Sequence, residues 1–243
     1  MRFKVDDILK ISHSAVSSIL HPGLAKEDLP KMESKKYPEI YVFRHGETYD
    51  NRNRIFSGWR DSKLTPKGIR QAEVLKDKLK EKQIDICICS RLSRSKETAN
   101  IIFKGRPVVF EEDNRIIERN YGSLSGKSKS KLMRKDFIKA VKYRRFYDYR
   151  PPDGESLEDV SKRVFPFCED LIKRIRRNGE NIAVSCHGNS MKTIRLFFEK
   201  LLIIDVLVQE NPLGNDYAEY VVTPTEVKIG KVPAKEKRSK LPF

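Results

Sequence analysis

Two histidines in this chain stand where covalent chemistry could be done. Arg44-His45-Gly46 follows the apolar run Ile40 to Phe43, and Cys186-His187-Gly188 ends the apolar run that begins at Asn181. A histidine after one strand is usually structural; two His-Gly strand ends far apart in sequence, one preceded by arginine, point to a shared site. A neutral imidazole with an ordinary pKa near 6.5 is a competent nucleophile at physiological pH and can hold a phosphoryl group covalently. The transferring group then needs positioning and cationic neighbours more than new covalent machinery, and Arg44 and Arg94 offer planar forks of donors. No metal cluster suggests itself: there are four histidines, two of them in the first 37 residues, and no carboxylates at ligand spacing.

The elements that must position these residues follow from periodicity and punctuation. Ile40 to Phe43 reads as a strand; Thr65-Pro66 opens a helix with Ile69, Ala72, Leu75 and Leu79 on one face, running to Gln83. Ile84 to Cys89 is a second strand, a helix ends near Phe103, and Val108 to Phe110 is a third strand ahead of Glu111-Glu112-Asp113, read as a solvated strand end. Residues 115–154 are irregular and too long for a mere connection, which suggests a functional insertion or lid. Ser156 and Asp159 form a capping box for a helix to about Arg177, kinked at Pro166. Asn181 to Cys186 is a strand, a helix runs from about Ser190 to Leu202, and Tyr217 to Val222 and Val227 to Ile229 close the domain. The expected fold is α/β, a three-layer sandwich with a mostly parallel sheet flanked by helices. Sites in such folds lie at the carboxyl ends of the strands. Residues 1–37 form an N-terminal extension with a packing helix bearing Ile8, Ile11, Ala15 and Ile19, stopped by Pro22-Gly23. Residues 38–230 are expected to form the main domain, and 231–243 a basic tail.

Composition narrows the partners. The formal net charge is +16, with 38% hydrophobic and 35% charged residues, so the partner is expected to be anionic. The basic segments Lys127 to Arg150 and Lys228 to Lys240 lack the aromatic interleaving of a nucleic-acid platform, and no apolar run approaches a membrane span. Cys87, Cys89, Cys168 and Cys186 show no disulfide-like or C-x-x-C pattern, and no export signal is evident, so an intracellular, cytoplasmic protein with reduced thiols is expected.

The motifs RHGET (Arg44–Thr48) and CHGNS (Cys186–Ser190) resemble the two signatures of the histidine phosphatase superfamily. FSGW (Phe56–Trp59), LTPKG (Leu64–Gly68), SRLSRSKET (Ser90–Thr98), ERNYGSLSGKSK (Glu118–Lys129), YRRFYD (Tyr143–Asp148) and PPDGESL (Pro151–Leu157) extend the resemblance to its 2,3-bisphosphoglycerate-dependent phosphoglycerate mutase family. It implies that His45 becomes phosphohistidine, with Arg44, Arg94, His187 and Asn51 around the phosphoryl group and Glu118 as general acid and base. It further implies that Arg119, Tyr121, Lys129, Arg144 and Arg145 hold a carboxylate and a second phosphate, with Ser57 and Gly58 close by. Gly188 and Asn189, opening a helix, can add backbone donors for phosphate. The implied activity is interconversion of 3-phosphoglycerate and 2-phosphoglycerate in glycolysis and gluconeogenesis. The implied primer is 2,3-bisphosphoglycerate, with no metal, a small phosphorylated metabolite as substrate and a homodimer as the assembly.

The sequence departs from that family at Asp50 (usually tryptophan), Asn120 (usually histidine), a one-residue insertion before FSGW, a short Pro151-Pro152 loop and the ENPLGND stretch. Two rivals follow: a small-molecule phosphatase of the same superfamily, which would generally lack the cations at Lys129, Arg144 and Arg145, and a non-catalytic protein holding RNA or another anion on its basic surface.

Overall fold

The computed structural model describes residues 5–20 and 28–230. Helix α1 (Val5–Leu20) comes first, followed by strand β1 (Glu39–Arg44), a short α2 (Tyr49–Arg52), α3 (Pro66–Leu79), β2 (Ile86–Cys89), α4 (Ser93–Ile102) and β3 (Val109–Glu112). Helices α5 (Lys129–Lys135) and α6 (Phe137–Arg145) lie within the region expected to be irregular. The long α7 (Leu157–Asn178), β4 (Ile182–Cys186), α8 (Gly188–Glu199), α9 (Ile203–Val208), β5 (Tyr217–Val222) and β6 (Val227–Ile229) complete the order. The stop at Pro22-Gly23, the side chains of Ile8 and Ile19, and the tail 231–243 lie outside the described residues.

The strands form one sheet in the order β3-β2-β4-β1-β5-β6. The first four are parallel, whereas β5 runs antiparallel to β1 and β6 antiparallel to β5. Strand alternation sends successive side chains to opposite faces, and both faces are covered. Ile40, Val42, Val184 and Tyr220 pack under α1, α7, α8 and α9, while Tyr41, Phe43, Cys87 and Ala183 pack against α3 and α4. The central strands therefore read as continuous apolar runs, as fully buried parallel strands do.

Local chemistry sets the ends of these elements. Thr65 caps α3 with Pro66 in its first turn. Ser156 and Asp159 form the expected capping box of α7, which ends on Gly179 at φ +71° and continues as one helix through Pro166. Two expectations shift. Glu111 and Glu112 belong to β3 rather than following it, because an edge strand has no need of an apolar face there; Glu111 binds Arg174 at 2.6 and 2.8 Å, and Glu112 meets Lys96 at 2.6 Å. Helix α8 starts at Gly188, two residues early, with His187 itself as N-cap.

The register places the chemistry. Arg44 pairs with Cys186 across β1 and β4, so His45 and His187, each the next residue, leave the sheet side by side. The turn after β1 is held by close backbone approach: a Cβ on Gly46 would lie 2.4 Å from the Gly68 carbonyl oxygen, and one on Gly68 would lie 2.1 Å from that of Glu47. Glycine is required at both places because the start of α3 presses on the His45 loop.

Candidate active site

His45 and His187 are buried, and their ring centroids are 5.1 Å apart. His45 Nδ1 lies 2.7 Å from the Gly46 carbonyl oxygen, an acceptor only, so Nδ1 carries the proton and Nε2 keeps its lone pair. Burial, with Arg94 and Arg44 nearby, pushes the His45 imidazole well below its usual value against the pull of that carbonyl. The result is a neutral, oriented nucleophile. The Gly46 amide donates to Thr98 Oγ1 at 3.0 Å, and that hydroxyl donates to the Arg94 carbonyl at 2.7 Å, tying the loop to α4.

His187 is held through its Nε2 edge by Ser90. Its Nε2 is 2.7 Å from Ser90 Oγ, and the Ser90 hydroxyl already accepts from the Leu92 amide at 3.3 Å. With the Ser90 proton directed at Nε2, Nδ1 is the donor. That Nδ1 has no hydrogen-bond partner, nor have Arg44 Nε and Arg94 Nε. Burial followed by the Arg94 charge keeps this imidazole neutral too.

Arg94 is almost fully buried. It donates to the carbonyls of Arg60 at 2.7 Å and Gly58 at 2.8 Å. Removing a guanidinium from water costs several kcal/mol, and hydrogen bonds to a charged group return about 1.5–3 kcal/mol each, so the residue is pre-oriented but still short of an anion. Arg44 donates to the Asn211 carbonyl at 3.2 Å. A Cβ on Gly188 would sit 3.3 Å from the Arg44 Cζ, which explains why glycine follows His187. Arg44 Nε, Arg94 Nε and His187 Nδ1, none with a partner, suit a tetrahedral oxyanion.

Glu118 faces the same space. Its Oε1 accepts from the Arg119 amide at 2.8 Å, the Asn189 amide at 3.1 Å and Asn189 Nδ2 at 2.9 Å. The amide at the start of α8 thus serves this carboxylate, where the sequence suggested a phosphate contact. Burial pushes the Glu118 carboxyl up, but the Asn189 bond, the Arg44 and Arg94 charges and the Arg119 amide outweigh it, and the group lies below its usual range. At rest it is a base.

Beyond Glu118 the pocket is walled by Arg44, Ser57, Gly58, Tyr121, Lys129, Arg144, Arg145, Gly188 and Asn189, all singled out in the sequence, together with Lys192, Glu210 and Asn211. Asn189 Nδ2 also reaches Tyr121 Oη at 3.2 Å. Lys129, with Arg144 and Arg44 near it, is lowered by burial to about 7, and Arg144, beside Arg145, is lowered by burial to about 10.

Five of the singled-out residues are off this wall: His45, His187 and Arg94, described above, and Arg119 and Asn51. Arg119 donates to the carbonyls of Glu155 and Tyr149 at 2.5 and 2.9 Å, and Asn51 caps α2 through Thr48. Of the departures, Asn120 accepts from the Gly122 amide at 2.8 Å, closing the turn after Glu118, and buried Asp50 lies 3.7 Å from Arg60. Sequence reasoning passed over Lys192, although it follows Gly188 by four residues on one helix and so shares its face. Glu210 was read only as part of the divergent ENPLGND stretch, and Ser90 only as part of SRLSRSKET. All four cysteines are buried and free, and among the described residues no group of three or more His, Cys, Asp or Glu could hold a metal ion. No described helix is long and apolar enough to cross a membrane.

A doubly covered α/β sheet that delivers two neutral imidazoles into a ring of guanidiniums defines a class of protein built to handle phosphoryl groups. The family model for the histidine phosphatase superfamily (branch 1) matches residues 40–203, and the chain belongs to that superfamily. The 2,3-bisphosphoglycerate-dependent phosphoglycerate mutase of Cytophaga hutchinsonii is 34% identical over 172 residues, covering 70% of this chain and 81% of that protein. Its counterpart in Methylobacterium sp. is 38% identical over 184 residues, covering 72% and 84%. Among solved structures, Bacillus stearothermophilus YhfR superposes with a TM-score of 0.71 at 27% identity, covering 79% of this chain and 95% of that one. A mycobacterial glucosyl-3-phosphoglycerate phosphatase, at TM-score 0.70 and 19% identity over 79% and 97%, shares the fold.

Proposed function

We propose that this chain is a 2,3-bisphosphoglycerate-dependent phosphoglycerate mutase, working through a phosphohistidine at His45. The observation that carries this reading is a pocket walled by five cationic side chains with the Glu118 base among them. In this reading the phosphoryl group lies among His45, His187, Arg44 and Arg94, whose charges act on both imidazoles, and the ligand's other anions lie against Lys129 and Arg144, which share the pocket wall with Arg44 and Glu118. A ligand with anions at both ends fits that arrangement, and the three orphaned donors fit its phosphoryl oxygens.

The bisphosphorylated primer supplies the phosphoryl group that first loads His45. In the loaded protein, Glu118 takes the proton of the 2-hydroxyl of 3-phosphoglycerate as that oxygen bonds to phosphorus and the bond from phosphorus to Nε2 breaks. His45 regains its lone pair and keeps the proton on Nδ1. After the ligand turns end for end, Nε2 attacks the other phosphorus, and Glu118 returns its proton to the departing oxygen. Arg44, Arg94 and His187 Nδ1 hold the equatorial oxygens throughout, with no net change of charge on the protein.

A coupled enolase assay with 3-phosphoglycerate tests this reading, run with and without catalytic 2,3-bisphosphoglycerate and beside a phosphate-release control. Bisphosphoglycerate-stimulated formation of 2-phosphoglycerate that is lost in His45→Ala is the expected outcome. Phosphate release without isomerisation would make the protein a phosphatase of the same superfamily.

A further inference from the structure

Seven charged side chains line the pocket, and two of them are carboxylates. Glu118 is occupied by Asn189 and the Arg119 amide. Glu210, in the same pocket wall, pairs with Arg145. Arg145 Nη2, the atom that meets Glu210, also donates to the Ser14 carbonyl at 3.2 Å, while the buried Nε has no hydrogen-bond partner. Lys192, buried on α8, shares the pocket wall with both, and the charge of Glu210 is felt by Lys129, Arg144 and Lys192 alike. The backbone beside it is anchored: the next residue, Asn211, accepts from Arg44 through its carbonyl and from Arg195 at 3.1 Å through its side chain.

Resting on the two-ended reading above, we propose that Glu210 is a specificity-determining residue: a resident counter-ion that offsets part of the cationic charge at the distal end and so weakens the hold on a ligand in proportion to its distal negative charge. A ligand with a carboxylate there is accepted, and one that adds a second phosphate is held less tightly than the cations alone would hold it. Such a device favours turnover over retention of the doubly phosphorylated species, because a pocket with five cations and only Glu118 against them would bind that species as a trap.

The test is a set of binding titrations in a His45→Ala background, where no phosphoryl group moves, with inorganic phosphate, 3-phosphoglycerate and 2,3-bisphosphoglycerate as probes. Glu210→Gln should leave phosphate nearly unchanged and tighten 2,3-bisphosphoglycerate by about tenfold, the scale of one unit charge acting across a few ångströms of partly wet protein, with 3-phosphoglycerate between. Arg145→Met should shift the series the opposite way. The double variant, which leaves neither half of the pair buried alone, should return to the parent, and it keeps the test alive if a single variant folds poorly. Equal effects on all three probes, or a double variant that stays far from the parent, would overturn the proposal. The outcome is independent of the enolase assay: charge-graded binding without isomerisation would sink the mutase and keep Glu210, and the converse would do the reverse.

Discussion

Lys129 sits at an unusual point for a lysine. With its ammonium lowered by burial to about 7, it is charged in mildly acidic solution and loses its proton as pH rises through neutrality. An anionic ligand raises the value again on binding, so the free protein pays a protonation cost that grows with pH. kcat/KM for phosphoglycerate should therefore fall above about pH 7, while His45, whose imidazole is lowered, remains an unprotonated nucleophile across the same range. Lys129→Arg, with a charge that survives to high pH, should flatten the profile; a wild-type profile already flat from pH 6 to 9 would remove Lys129 from the binding of the distal anion. At this scale His45, Arg44 and His187 were legible because each follows a strand-like apolar run. Ser90, Thr98 and Glu210 were not, since what they do depends on which distant backbone or side chain comes within 3 Å.

Among the elements, α1 connects two parts of the pocket that are far apart in sequence. Ser14 Oγ donates to the Val208 carbonyl at 2.7 Å at the end of α9, and the Ser14 carbonyl accepts from Arg145 at the end of α6. Ile11 and Ala15 are fully buried in the main core. Ile11→Ala should lower stability in denaturant titrations by about 2–4 kcal/mol, as expected for a buried aliphatic side chain truncated to methyl, and it should raise KM more than it lowers kcat. A variant as stable as the parent would make α1 an appendage. The helix was readable from its apolar spacing; its role as a brace was not, because that requires the fold. Helices α5 and α6 went unread for a different reason. Their sequences are dominated by charge, and the signals present were the caps: Ser128 accepts from the Lys131 amide at 3.2 Å and Asp136 from the Lys139 amide at 2.9 Å.

For the molecule as a whole, the charge of +16 exceeds what the pocket's five cations and two carboxylates hold. The sheet order has a plainer reading. Strand β1 is made early, yet its two neighbours are β4 and β5, from the last third of the chain. Pairings of such long sequence separation form slowly. A chain ending near residue 215 would leave β1 unpaired along one side, with Ile40, Tyr41, Val42 and Phe43 in a bare row. Such an exposed apolar edge seeks another strand. The truncated protein should accumulate in the insoluble fraction on expression, and a soluble, monomeric fragment would show that β5 is dispensable. On the ribosome, then, the emerging chain carries its future nucleophile next to its stickiest segment until synthesis is almost complete, and the moment that makes the strand safe is also the moment that creates the enzyme.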